Sequence, residues 1–358
     1  MKIKLYTLFF IVCSIFSSEL KSQDAAFSQF YAAPVFLNPA MSGGENNISA
    51  NISYRTNTNQ ILFPYKLGQF TVSMPILINS KRYQRKNTQL QNYIGSIAFT
   101  GYNELLGSNN EYSVSGLSIT TSYFMQIAFA HFISFGLQGG FVQKYIDYSK
   151  LTWGSQFTPD LGYDSRIAPS VLFSNQKILY PVFNAGITWF YNINDFSPYE
   201  KTSFRTFAGI AVSNINKPDD SFFDTQKLFY PALFKFHGGL SIPLSSQFEL
   251  LPNCLIMRQN RENHINVGTY IAYFLPTKNN TNSTFYQIQI GSWYRIGDSY
   301  IVSLGFEMKN LTLGISYDLN VSNFKYNNKG VRAFEVSINY KGNNKQINNH
   351  RNISHPII

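Results

Sequence analysis

The chain has 358 residues, of which 16% are aromatic and only 13% charged, with 29 Lys and Arg against 19 Asp and Glu for a formal charge of +10. An average soluble domain is roughly 25% charged, so there are too few charges here to solvate an ordinary surface. Mean hydropathy is still slightly negative, and past the first 22 residues no run of 18 or more apolar residues occurs, which excludes a helical membrane protein. The excess of basic residues is scattered through candidate loops such as 79–89 and the segment 341–352. No element interleaves them with stacking aromatics, so no nucleic-acid partner is expected.

In chain order, residues 1–22 read as a signal peptide: Lys2 and Lys4, then the apolar LYTLFFIVCSIF, then the polar SSELKS, with cleavage expected near Ser22. Export is implied. Cys13 follows Val12 inside the apolar core, so no lipoprotein anchor is expected, and Cys254 alone is left, which rules out an intrachain disulfide. Residues 23–46 form an N-terminal arm containing AFSQFYAAPVFLNPAMSGG (26–44). Pro34 and Pro39 push Ala33 and Asn38 toward extended geometry and remove two donors, which disfavours helix. Phe27, Phe30, Tyr31, Phe36 and Leu37 are costly to leave together in water, so the arm is expected to be packed, with Gly43 and Gly44 allowing a sharp turn into the first strand. Phe27, Gln29, Phe30, Tyr31, Pro34, Leu37, Asn38 and Pro39 are the candidates for a plug in the lumen or a partner contact.

From 47 to 340 the dominant signal is a period of two. In residues 311–319, Leu311, Leu313, Ile315, Tyr317 and Leu319 alternate with Thr312, Gly314, Ser316 and Asp318. Segments of this kind predict strands at 47–56, 68–77, 91–102, 112–128, 131–145, 182–192, 204–213, 234–244, 247–258, 264–274, 285–295, 300–308, 311–320 and 332–340. About fourteen strands of roughly ten residues suit a barrel crossing an outer membrane. The fold class is therefore all-β, a transmembrane antiparallel β-barrel in contact with outer-membrane lipid, followed by a polar basic tail at 341–358. The second faces carry small and polar groups such as Gln287, Gln289 and Gly291, or Lys235, His237, Gly239 and Ser241, which suit a lumen. Tyr191, Trp293, Tyr317 and Tyr340 are expected in an aromatic girdle at the headgroups. An open edge in lipid leaves backbone groups unpaired, so the first and last strands are expected to pair. With both termini periplasmic, the short joints near 130, 245–246 and 309–310 fall on that side and the long connections 146–181 and 214–233 fall outside, although 78–90, 193–203 and 275–284 are longer than periplasmic turns usually are, as a miscounted strand pair would make them. In this register Ile315→Arg is expected to be costly and Ser316→Arg much milder.

No constellation of residues carries catalysis, and no cofactor is expected. His131, His237, His264, His350 and His355 lack metal-ligand spacing, and neither a nucleophile elbow nor a phosphate loop is present. Asp160 and Asp164 flank Gly162 and are read as a solvated turn rather than a cation site. Glu307, Asp318 and Glu335 are expected to be polar packing inside the barrel.

The arm also carries a resemblance. FSQFYAAPVFLNPAMSG is similar to the start of mature proteins of the PorP/SprF family of the type IX secretion system. YIDYSKLTWGSQFTPDLGYD (145–164), FAGIAVSNINKPDDSFF (207–223), FKFHGGLSIPLSSQFELLPNCLIMRQ (234–259), the stretch from IGSWYRIGDSY to NVSNF (290–324) and RAFEVSINY (332–340) resemble later family segments in the expected order. Ala25 and Ala26 depart from a more usual proline-containing start, Ala333 replaces a usual glycine, and the tail after Tyr340 is additional. The resemblance implies an outer-membrane component that supports secretion or surface attachment of large adhesins bearing a C-terminal sorting domain, alongside periplasmic type IX subunits, and motility in gliding cells. It implies no catalytic residue. A passive channel or apolar-solute transporter gated by the arm is the alternative.

Overall fold

The structure, a computed structural model, describes residues 26–44, 47–57, 64–79, 91–158, 160, 162–164, 166–168, 175–192, 204–222, 227–275, 286–308, 310–321, 325–326, 329–330 and 332–342. The expected signal peptide and nearly all of the expected tail lie outside the described residues. Fourteen antiparallel strands close into a barrel in sequence order: β1 Ser49–Asn57, β2 Tyr65–Asn79, β3 Gln91–Leu106, β4 Tyr112–Ala128, β5 His131–Ile146, β6 Gln176–Asn192, β7 Arg205–Ser213, β8 Leu233–Pro243, β9 Phe248–Gln259, β10 Glu262–Phe274, β11 Tyr286–Arg295, β12 Ser299–Met308, β13 Leu311–Asn320 and β14 Arg332–Lys341. The seam is the β1–β14 ladder, running from Ser49 opposite Lys341 to Asn57 opposite Ala333. Closure satisfies the backbone groups that hydrocarbon would otherwise leave without partners.

Each segment marked by the two-residue period is a strand, but several are longer than the period indicates. β6 starts at Gln176, six residues before the expected 182, so the long connection is 147–175 rather than 146–181. Pro181 hides this extension. Residues 176–184 pair with β5 alone, and β7 meets β6 only from Ala185 onward. The Pro181 carbonyl accepts a 2.8 Å bond from Asn216 Nδ2 on the unladdered side, where a missing N–H costs no strand pairing.

The two faces have opposite chemistry. On β13, Gly314, Ser316 and Asp318 are buried in the interior while Leu313, Ile315 and Leu319 are exposed to the outside. On β14, Glu335, Ser337 and Asn339 point in, and Phe334, Ile338 and Tyr340 point out. Trp293 corrects the expected girdle: it is only 1% exposed and lies in the lumen, its indole N–H donating to Asn253 Oδ1 at 2.7 Å. It shares strand parity with Gln287, Gln289 and Gly291, so the period places it inward whatever its residue type suggests.

The arm corrects a second expectation. Phe30–Ala32 and Pro39–Gly44 are 3-10 turns, and Pro34–Leu37 is a single α-turn. Pro34 and Pro39 open their turns, where no intrahelical donor is required and the fixed φ suits a helix. Both chain ends of the barrel lie at one rim with the connections 80–90, 129–130, 193–204, 244–247, 275–285 and 309–310, whereas 147–175 and 214–232, the two longest, leave the other rim. Outer-membrane barrels keep their long loops outside, which makes the terminus-bearing rim periplasmic. Two external connections are nonetheless tight, at 260–261 and 296–298, helped by Asn260 and Gly297 with φ of 55° and 76°.

Ile315, 48% exposed in the middle of β13, supplies a test of the lipid face: Ile315→Arg is expected to cost about 2–4 kcal/mol, read as urea unfolding in lipid vesicles. Ser316 is a poor comparator, because its hydroxyl accepts from Gln29 Nε2 at 3.1 Å and an arginine there would collide with the arm. Thr312→Arg, inward-facing and opposite Glu307 in register, is expected to cost less than about 1 kcal/mol, within the usual range for a harmless substitution. Equal losses at 312 and 315 would show the faces to be reversed.

Candidate functional site: a filled lumen and an external vestibule

Residues 26–44 lie inside the barrel, and their polar groups are matched one by one to the wall. Glu335 on β14 accepts the backbone N–H of Ser28 and of Gln29, each at 2.8 Å. Ser28 Oγ donates to Asp318 Oδ2 at 2.6 Å and accepts from Arg295 at 2.6 Å and from Arg55. Arg55 and Arg295 also pair with Asp318 at 2.9 and 3.2 Å, and Arg295 reaches Asp298 at 2.8 Å. Charges this deeply buried are tolerated only when paired and hydrogen-bonded. The arm backbone supplies donors that this cluster needs. Gln29 completes the set, donating to Ser316 and accepting from Ser337 Oγ at 2.9 Å.

The apolar part of the arm packs below and beside this cluster. Tyr31 stacks on Trp293 at 5.5 Å, meets Tyr270 edge-on and shares a hydroxyl hydrogen bond with it. Phe30 and Leu37 join a buried cluster with Leu255 and Met257 of β9, while Phe27 packs on Phe36 and near Leu67. Each such side chain contributes about 1.5–3 kcal/mol over an exposed one. Asn38 then fixes the descent: its amide nitrogen donates to Thr188 Oγ1 at 3.0 Å and lies 2.9 Å from His237 Nε2, and its oxygen accepts from Ala40 N at 2.9 Å. Pro39 and Ala40 run against Gly136, and Asn38 against Gly186; a Cβ on either glycine would overlap the arm. Further on, Ser96 Oγ donates to Ser42 O and Tyr93 OH to Gly43 O, each at 2.7 Å. Gly43 is needed for space, since a Cβ there would strike Ser134, and its φ is not positive.

Above the arm, toward the external rim, lies a cavity of about 480 Å³ with Phe36 among its lining residues. Its walls carry Tyr102, Tyr112, Tyr180 and Tyr230 together with Lys144 and Lys235. Lys235 Nζ donates to Phe36 O at 3.1 Å. Lys144 Nζ bonds Asp220 Oδ2 at 2.7 Å and sits 4.3 Å from the Tyr230 ring centre. Asp220 and Tyr230 belong to the external connection 214–232, which is tied to itself by Asp220 N to Leu228 O at 2.7 Å and Tyr230 N to Pro218 O at 2.9 Å. In the same loop the Ser221 hydroxyl and amide hold the Asp219 carboxyl below its usual range.

The family described as type IX secretion system membrane protein PorP/SprF matches residues 19–340. The chain belongs to this family. It is therefore a membrane β-barrel of the type IX secretion system, located in the outer membrane, with membrane and secretion-system partners. No curated protein matches the chain by sequence. Among solved structures it is similar to the toluene transporter TbuX of Ralstonia pickettii, at 10% identity and a TM-score of 0.44, covering 89% of this chain and 95% of that one. It is also similar to a FadL homologue of Pseudomonas aeruginosa, at 10% identity and a TM-score of 0.42, covering 86% and 94%.

In this PorP/SprF chain Phe27, Gln29, Phe30, Tyr31, Pro34, Leu37, Asn38 and Pro39 are all buried. Asp318 and Glu335 meet at the arm, whereas Glu307 stands on β12 opposite Thr312 and is no part of that cluster. Arg55, Arg295 and Ser28 are members of the site that no sequence motif marks, although Arg55 and Arg295 stand at inward positions and an inward arginine demands a carboxylate. Asp164 is held by Arg166 through two bonds of 2.9 Å. Among the described residues no group of three or more His, Cys, Asp or Glu is placed to hold a metal; His350 and His355 lie outside them.

Asn38→Ala would strand the groups it bonds, at a cost of about 1–3 kcal/mol, and Gly136→Val would put a side chain where the arm backbone passes. Both variants are expected to make the bond after Tyr31 susceptible to chymotrypsin in folded protein, with the barrel strands still protected. Arm cleavage indistinguishable from wild type would show that these contacts do not seat it.

Proposed function

We propose that this PorP/SprF barrel acts without catalysis, as an adaptor that fixes a large secreted adhesin, or its C-terminal sorting domain, at the outer membrane. The external connections 147–175 and 214–232 are its contact surfaces, periplasmic type IX subunits engage the opposite rim, and in gliding cells the same attachment serves motility. The observation that supports this reading is the filled interior. The described arm is bonded and packed to strands around the barrel, so the surfaces left for partners are the two rims. The eight arm residues act in this reading as a plug rather than as a docking face.

Deleting the gene is expected to leave a specific adhesin unsecreted or shed into the medium, measured by whole-cell labelling and by mass spectrometry of the supernatant. Unchanged surface adhesin would remove the proposal. In planar bilayers the intact protein is expected to be silent, while removal of residues 24–44 opens it. Steady conductance or apolar-solute uptake by the intact protein, altered by that removal, would favour the passive channel or transporter instead.

A further inference from the structure

The external vestibule already contains one piece of polypeptide, contributed by the protein itself. Residues 219–222 of the connection 214–232 read Asp-Asp-Ser-Phe. Asp220 carries its carboxylate to Lys144, which is 7% exposed, and Phe222 sets its ring edge-on to Tyr112 with centres 6.5 Å apart. Lys144 also stands 4.3 Å from the Tyr230 ring and 5.9 Å from that of Tyr180. A lysine so enclosed requires a carboxylate partner, because leaving the charge buried alone is strongly destabilising. The fit of the internal segment is loose: Asp220 Oδ2 takes the Lys144 bond, while Oδ1 makes no bond of normal geometry although the Tyr180 hydroxyl faces the same carboxylate. Beside it remains the cavity of about 480 Å³, lined by tyrosines and valines together with Lys144, Lys235, Glu104 and Glu262, within the roughly 300–1,000 Å³ of ordinary ligand sites.

We infer that this vestibule is a binding site for acidic–aromatic peptide segments, with Lys144 as the carboxylate anchor and Tyr112 and Tyr180 as the aromatic wall, and that residues 219–222 occupy it as an internal stand-in. An incoming segment displaces Asp220 from Lys144, places an aromatic ring against the tyrosines and extends into the remaining space above Phe36. The loop thus sets a threshold that a partner segment must exceed, and it carries in its own sequence the chemistry the site accepts. This inference rests on the adaptor reading only for the origin of the incoming segment, a secreted partner; the site itself is independent of it.

The test uses full-length protein in lipid nanodiscs and a fluorescent peptide of residues 217–222, KPDDSF, with KPNNSF as control, read by anisotropy. KPDDSF is expected to bind the Asp220→Asn/Phe222→Ala variant at least tenfold more tightly than wild type, KPNNSF to bind neither, and Lys144→Met to abolish binding. Because Asp220→Asn leaves Lys144 without its carboxylate, Phe222→Ala alone serves as a second variant in which the ion pair is retained; it is expected to show a smaller gain. No binding of KPDDSF to any variant, equal binding of the two peptides, or binding that survives Lys144→Met would each overturn the site. Adhesin display in a Lys144→Met strain addresses the adaptor reading separately: unaltered display with lost peptide binding keeps the site and excludes the adhesin as its ligand.

Discussion

Backbone hydrogen bonding in a medium without water is the constraint on which this molecule depends. Each strand that meets hydrocarbon must give every N–H and C=O a partner on a neighbouring strand, and a sheet does so at both edges only when it closes. The β1–β14 ladder achieves this. Closure then dictates the alternation, since each residue must face either lipid or the enclosed interior. A single stretch such as 311–319 therefore carries two surfaces with different solvents.

Closure with fourteen strands creates a second problem. An eight-stranded barrel is just narrow enough for its own side chains to fill, whereas sixteen to eighteen strands leave an aqueous channel. At the width in between, inward side chains from opposite walls do not meet. Residues 26–44 bridge that gap. Their aromatic rings reach Trp293 and Tyr270 on one side, their turns run against Gly136 and Gly186 on the other, and their amides meet Glu335. The glycines of β5 and β6 and the buried charges of β1, β11, β13 and β14 are complementary parts of one arrangement: small residues where the arm backbone approaches, and charged ones where its N–H and hydroxyl groups point.

Much of this is legible in the sequence because the two-residue period is local. All fourteen strands and both faces follow from it, and the packed state of the arm follows from five large apolar residues that water would not tolerate. Three features escape for physical reasons. Trp293 suggests a girdle by residue type, when parity carries the information. The start of β6 is masked by Pro181, which is harmless only because no strand pairs with that edge. The turns of the arm are hidden by prolines that occupy positions where helices accept them. The contacts between arm and wall are not legible at all: Ser28 and Glu335 are 307 residues apart, and nothing local announces that an arginine at the end of β1 and another at the end of β11 will meet the same serine.

Polypeptide thus reaches the interior from both rims, and the arm and the loop differ in how they are held there. The arm is fixed at several points, namely the carboxylate cluster, the Tyr31–Trp293 stack and the Asn38 amide, and each contributes to how tightly the whole segment is seated. Among the described residues the loop segment 219–222 meets the barrel wall chiefly through the Lys144–Asp220 ion pair and the edge-on Phe222–Tyr112 contact, with Asp220 N tied to Leu228 O within the loop. An element held at many points loosens by degrees as its contacts are removed, whereas one whose wall contact centres on an ion pair exchanges more readily with a competing carboxylate. Multiple anchoring suits the arm to sealing, and sparser anchoring suits the loop to exchange. In the proposed reading, recognition takes place at the external rim and the packed arm below it acts as the plug.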